Sequence, residues 1–224
     1  MDLMSHPIWS RANVPQRHCQ VVHDAVKYVK DKHSKRKVYH SADHCIIMAE
    51  AALTLAITEH VPTSLIPHLA LAAVFHDFDH LCTPGDDSLN IARACAGFVI
   101  WAKNPGLNPS LQAMVQRLIQ VTTYSSGFPV APENLLERIM RDADLGSIYT
   151  EAGRKRLLYL PVELGIPLDE QFLTANANFL RTAVRFTTSA LRQATTLDLC
   201  IALFDDRAHE APHYEASSTQ PTSV

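Results

Sequence analysis

Two short stretches, YHSADH at residues 39–44 and HDFDH at residues 76–80, gather imidazole and carboxylate groups more densely than packing needs. The second closes an apolar run, TSLIPHLALAAVFHDFDH, that reads as a buried helix. Buried charge is costly unless it is paired or bound to a cation, so two histidines and two aspartates at such a helix end need partners. His40 and His44 are four apart near the start of one helix, and His76 and His80 are four apart at the end of the next. Each pair is therefore expected to project from one helical face, with Asp77 beside His76. A third segment, RDADLGS at 141–147, adds Asp142 and Asp144, which are two apart and cannot both face one ion if helical. Nitrogen and carboxylate donors drawn from separate helices are how helical bundles build metal sites in their cores. Isolated histidines such as His18, His23, His60 and His68 are read as surface or satisfied core residues.

The elements that must position these groups read as helical throughout. Only seven glycines occur in 224 residues, and apolar residues recur mostly at three- and four-residue intervals instead of alternating. Helices are expected near 16–33, 41–59, 63–80, 87–103, 108–123, 133–147, 149–164, 169–191 and 195–207. Breaks rich in turn-forming residues separate them: HVPTS at 60–64, TPGDD at 83–87, NPGLNP at 104–109 and YSSGFPVAPEN at 124–134. Ser41 and Thr63 are candidate helix caps. The expectation is one all-α domain over 1–208 and a disordered tail at 209–224, whose small, polar composition makes His209 and His213 bystanders.

Bulk composition narrows the function. Hydrophobic residues at 47% and charged residues at 19% are ordinary for a globular protein, and a net charge of −3 argues against duplex nucleic acid as a partner. The five cysteines are odd in number, scattered and never in a CxxC arrangement, which disfavours a disulfide framework or zinc ribbon. No basic stretch followed by an apolar core opens the chain, and no apolar run approaches the ~18–20 residues of a membrane span. A cytoplasmic protein without membrane association is expected, its oligomeric state left open.

The order of these motifs resembles that of the HD superfamily of metal-dependent phosphohydrolases, whose pattern is H, then HD, then D on a helical bundle. Within it the sequence is most similar to the catalytic domain of cyclic-nucleotide phosphodiesterases, with YHSADH, HDFDH and ADL (143–145) standing for the family's three motifs. The resemblance covers roughly residues 39–147 and implies an HD-type bundle. It implies that His44, His76, Asp77 and Asp144 ligate the tighter metal, with Asp77 bridging to any second ion. It implies His40 as the group that protonates the leaving oxygen, His80 as a holder of the bound water network, and Thr122, in LIQVTTYSS, as a partner of metal-bound water. Mixed His and Asp ligands suit zinc, manganese or iron at the tight position, and magnesium or manganese at a carboxylate-and-water position. The implied activity is hydrolysis of a phosphate ester, of the phosphodiesterase kind, on a small nucleotide-type substrate.

Departures from the family pattern leave alternatives open. The family's HDxxHPGxxN becomes HDFDHLCTPGDDSLN, so the loop beside the metal differs, and the chain after Ile148 is much shorter than in the phosphodiesterases. Gln171 is the one modest candidate for a purine-reading glutamine. Asp86 or Asp87 stands where HD nucleotidases can have a catalytic acid, which keeps a deoxynucleotide phosphohydrolase or 5′-nucleotidase in view. From another class, a helical bundle that binds a ligand without turnover is the rival. A di-iron oxygenase is disfavoured because no histidine occurs from residue 81 to 141. The lysine-rich run at 27–37 and RKR at 154–156 are read as solvated surface.

Overall fold

The computed structural model describes residues 3–11, 13–33, 37–81, 87–124, 129–146, 156–182 and 186–189. Among them the regular structure is helical, without a strand, and the all-α expectation holds. The expected helix at 195–207, the tail at 209–224, the opening of the expected helix at 149–164 and Asp86 lie outside the described residues. In chain order come α1 (Ile8–Arg11), α2 (Gln16–Lys32), α3 (Ala42–Thr58), α4 (Ile66–Phe75), α5 (Ser88–Ala102), α6 (Pro109–Gln120), α7 (Leu135–Gly146), α8 (Leu160–Leu164) and α9 (Glu170–Thr182). No helix among the described residues is long and apolar enough to cross a membrane.

The axis of the bundle is α4. Every residue from Ile66 to Phe75 except His68 is buried, as expected of a helix that is apolar on all sides. α3 packs on α4 and α7, while α2 and α6 flank α4 and α5 lies on α6. Local chemistry marks the helix starts. Ser41 caps α3 by accepting from the His44 amide at 3.4 Å, and Asn108 caps α6 by accepting from Leu111 at 2.9 Å. Asn134 accepts from the Glu137 amide at 3.1 Å while Glu137 reaches back to the Glu133 amide at 2.7 Å, so reciprocal capping opens α7. Thr63 is not a cap of this kind: it begins a short 3-10 turn, Thr63–Leu65, whose preceding residue is Pro62.

One helix differs from expectation in a way that shapes the site. The helix expected over 63–80 ends at Phe75, and residues 76–79 form a turn in which Asp79 takes a left-handed backbone (φ 63°). Aspartate tolerates that conformation better than most residues, and here the chain turns sharply at it. Similarly, α3 begins after Ser41, so His40 precedes the helix. Neither histidine pair therefore lies on one helical face, and the two members of each pair serve different clusters.

Phe78, inside HDFDH, anchors this turn. Its ring lies 5.7 Å from Tyr28 and Phe75 and 6.0 Å from His33, and it fills the space over Gly97 on α5. A Cβ at Gly97 would sit 2.3 Å from Phe78 Cδ1, a clash that the packed ring has no free direction to relieve. Gly97→Ala is expected to lower unfolding stability by about 1–3 kcal/mol, the usual range for overpacking. Urea unfolding followed by helical circular dichroism measures it, and an unchanged midpoint would contradict the packing described.

Candidate metal centre

Four side chains from three parts of the chain meet where α3 begins, α4 ends and α7 approaches its C-terminus. His44 Nε2 and His76 Nε2 lie 3.3 Å apart. Asp77 Oδ2 is 3.2 Å from each, and Asp144 Oδ1 is 3.8 Å from His44 and 3.4 Å from His76. Donor atoms held tetrahedrally at ~2.1 Å around one ion sit ~3.4 Å from each other, and the spacings among His44, His76 and Asp144 are close to that. His76 Nδ1–H donates to the Ala73 carbonyl at 2.8 Å, so the neutral ring turns its Nε2 lone pair toward the cluster. Such a bond to the far nitrogen is how ligating histidines are usually oriented. The buried His44 and His76 and the half-buried Asp144 could hold a metal ion by donor type and spacing, and Asp77 adds an oxygen within reach of both imidazoles.

The electrostatics carry the same demand for positive charge. Burial penalises charge on His76, but the Asp77 carboxylate and the hydrogen bonds that the ring donates to Asp144 and Asp77 outweigh it and raise its pKa well above the ordinary imidazole value. His44 follows the same pattern, with its bonds to Asp144 and Asp77 overcoming burial. Burial works against ionising Asp77 and Asp144 too. For Asp77 the charge on His76 is the largest opposing cause, for Asp144 the bond to His44, and both carboxyls end below their usual range. Tyr39, stacked on His44 with centroids 5.2 Å apart, has its hydroxyl pushed up by burial and by the two nearby carboxylates. Asp144 is 24% exposed against 1% for His76, so the cluster opens to solvent on the Asp144 side.

His40 and His80 stand beside this centre as a separate group. Their rings stack face to face, centroids 3.7 Å apart and planes 12° from parallel. His40 Nδ1 meets Glu163 Oε1 at 2.5 Å, and Glu163 Oε2 accepts from the backbone N–H of Tyr39 at 2.8 Å and of His40 at 3.1 Å. On the other face, His80 Nε2 is 2.9 Å from Asn90 Nδ2 and 3.6 Å from Asp87 Oδ1. His40, His80 and Glu163 also bring donor atoms within 4.8 Å of one another. The lone pairs of two nearly parallel stacked rings lie in separate parallel planes and do not converge on one point, however, so this group suits proton handling better than shared ligation.

Asp142 is fully buried and faces away from the imidazoles. Its carboxylate accepts from the Thr187 amide at 2.9 Å and the Thr188 amide at 2.6 Å. Thr122 is buried and its hydroxyl donates to the Ile119 carbonyl at 2.8 Å, which leaves only its acceptor side for another partner. Gln171, the candidate purine reader, is exposed in the first turn of α9; of the lysine-rich run, Lys27, Lys30 and Lys32 are exposed along α2, Lys37 is half-buried, and residues 34–36 lie outside the described residues. Arg156, read as solvated, is instead a tie to the site: it donates to the Val38 carbonyl at 3.2 Å, to the Tyr39 carbonyl at 3.4 Å and to the Ser41 hydroxyl.

Glu163 is the residue that sequence reasoning missed. Its only signal is a lone acidic residue inside apolar YLPVELGI, and its partner lies 123 positions away. In comparisons with known proteins, no family model and no curated sequence matches this chain.

The two aspartates of α7 are separable by experiment. Asp142→Ala strips the buried Thr188 amide and the half-buried Thr187 amide of their acceptor and is expected to lower stability by about 1–3 kcal/mol while retaining metal binding. Asp144→Ala is expected to abolish or strongly weaken zinc or manganese binding measured by titration calorimetry. The reverse pattern would mean that the assignment of the two roles is inverted.

Proposed function

We propose that this protein is a metal-dependent hydrolase of phosphate esters acting on a small nucleotide-type substrate, with His44, His76, Asp77 and Asp144 holding a divalent cation. The observation that carries this reading is the facing of two imidazole nitrogens and two carboxylates at ligand spacing, beside a histidine paired with a carboxylate. Zinc, manganese or iron suits the mixed nitrogen and oxygen set, and magnesium or manganese suits a second position bridged by Asp77. A bound cation lowers the pKa of its water toward ~7 and polarises the phosphoryl group.

The chain's own residues supply the rest. His40 is the general acid for the leaving oxygen, and Glu163 holds its Nδ1 and so fixes the orientation of the ring. His80, stacked on His40 and tied to Asn90, orders the solvent on that side. The motif order shared with HD-type phosphohydrolases supports the same chemistry, and the phosphodiesterase-like arrangement of YHSADH and HDFDH favours a diester. A monoester reading has one observation of its own: Asp87 Oδ1 lies 3.6 Å from His80 and 2.9 Å from Asn90, which places a carboxylate beside the catalytic pair.

Metal analysis combined with turnover of bis(4-nitrophenyl) phosphate tests the proposal. Wild-type protein is expected to carry stoichiometric transition metal and to lose turnover on chelation, and His76→Ala to lose both metal and activity. His40→Gln and Glu163→Gln are expected to keep the metal while slowing turnover about 10²–10⁴-fold and less, respectively, in line with loss of general acid catalysis. Turnover persisting unchanged in His76→Ala would refute the assignment. Product analysis with nucleotides separates the substrates: a cyclic diester opens to a monophosphate, whereas a monoester releases inorganic phosphate.

A further inference from the structure

We propose that His33 is a positioning residue that holds the His40–His80 pair in register by tying together the two backbone segments that carry them. His33 lies just past α2, is 5% exposed, and belongs to neither motif. Its Nε2–H donates to the His40 carbonyl at 2.5 Å, and its Nδ1 accepts from the Asp79 N–H at 3.3 Å. One imidazole thus joins the loop before α3 to the turn after α4, segments 39 positions apart in sequence (79 − 40). Only the neutral ring with its proton on Nε2 can make both bonds, and burial favours that neutral form. Phe78, 6.0 Å away, packs against the ring and fixes its plane.

The tie falls where the backbone most needs support. Asp79 is left-handed, and besides His33 it is held by Arg93, whose Nε–H donates to the Asp79 carbonyl at 2.9 Å and whose guanidinium pairs with its carboxylate. The residue after Asp79 is His80, whose ring must stay parallel to that of His40. Glu163 and Arg156 hold the His40 loop from the α8 side, and His33 holds it from the α2 side. Without His33 the separation of the two rings has one constraint fewer from each segment. A general acid displaced by even ~1 Å can lose ~10²-fold in rate while the cation's ligands stay in place.

This inference rests on the phosphohydrolase reading for its kinetic arm only. Full-chain His33→Ala and His33→Gln are compared with wild type, using manganese-loaded protein, bis(4-nitrophenyl) phosphate and amide hydrogen exchange. In His33→Ala, kcat is expected to fall about 10–100-fold with KM within about 3-fold. Manganese stoichiometry and exchange protection of α3 and α4 should be retained, while the Asp79 amide exchanges at least about 10-fold faster. Glutamine offers one donor and one acceptor at comparable reach, so His33→Gln is expected to recover a large part of both losses. Unchanged kcat in His33→Ala, or glutamine performing no better than alanine, would overturn the positioning role. Should wild type cleave no phosphate ester, the phosphohydrolase reading fails by itself and the exchange arm decides the tie: faster Asp79 exchange over a protected core supports it, and unchanged exchange refutes it.

Discussion

Two imidazole nitrogens 3.3 Å apart, faced by two carboxylates inside a helical bundle, are stable only with positive charge between them. That requirement organises this protein. It can be met by protons on His44 and His76, which the raised pKa values of both rings express, or by a cation at the same point. The tautomer fixed by Ala73 and the spacing of the donor atoms suit the second answer. A cluster of this kind is destabilising wherever it is not satisfied, so its presence at the junction of three helices points to use and not to packing.

The bundle delivers the cluster through a division between apolar and polar tasks. α4 is buried along its length except at His68, and the turn that follows it breaks the helix so that His76 and Asp77 face α3 and α7 while His80 meets His40. Phe78 plugs that turn into the core against Gly97, so the charged residues on either side of it are held by an apolar anchor between them. On α7, opposite sides of a single turn split the work: Asp142 secures residues 187–188, and Asp144 faces the imidazoles.

Around this centre the loop carrying Tyr39 and His40 has almost no structure of its own, yet it is held from several directions. Glu163 takes two of its amides and one imidazole nitrogen, Arg156 takes two of its carbonyls, and His33 takes a third. The two histidine groups consequently differ in kind. His44 and His76 meet through nitrogens aimed at a common point, whereas His40 and His80 meet through their faces and are each bound at the edge by a carboxylate or amide. The first arrangement suits ligation and the second suits holding and moving a proton.

The residue types and their order along the chain were enough to mark an all-helical protein and to draw attention to His76 and Asp77, because buried charge at the end of an apolar helix is a local anomaly visible without coordinates, whereas the full set with His44 and Asp144 came only from the resemblance in motif order. Composition and spacing also located the N-cap at Ser41. Helical geometry by itself forbids Asp142 and Asp144 from both meeting the imidazoles but does not say which way α7 is rotated, and the expectation of Asp144 rested on the resemblance of ADL to the family's third motif. The tertiary structure decided that rotation. It also decided the early end of α4, the separation of each histidine pair into different clusters, and the roles of Glu163, Arg156 and His33. Those depend on partners 7 to 124 positions away brought together by packing, and a hydrogen bond across such distances leaves no periodicity in the chain that makes it.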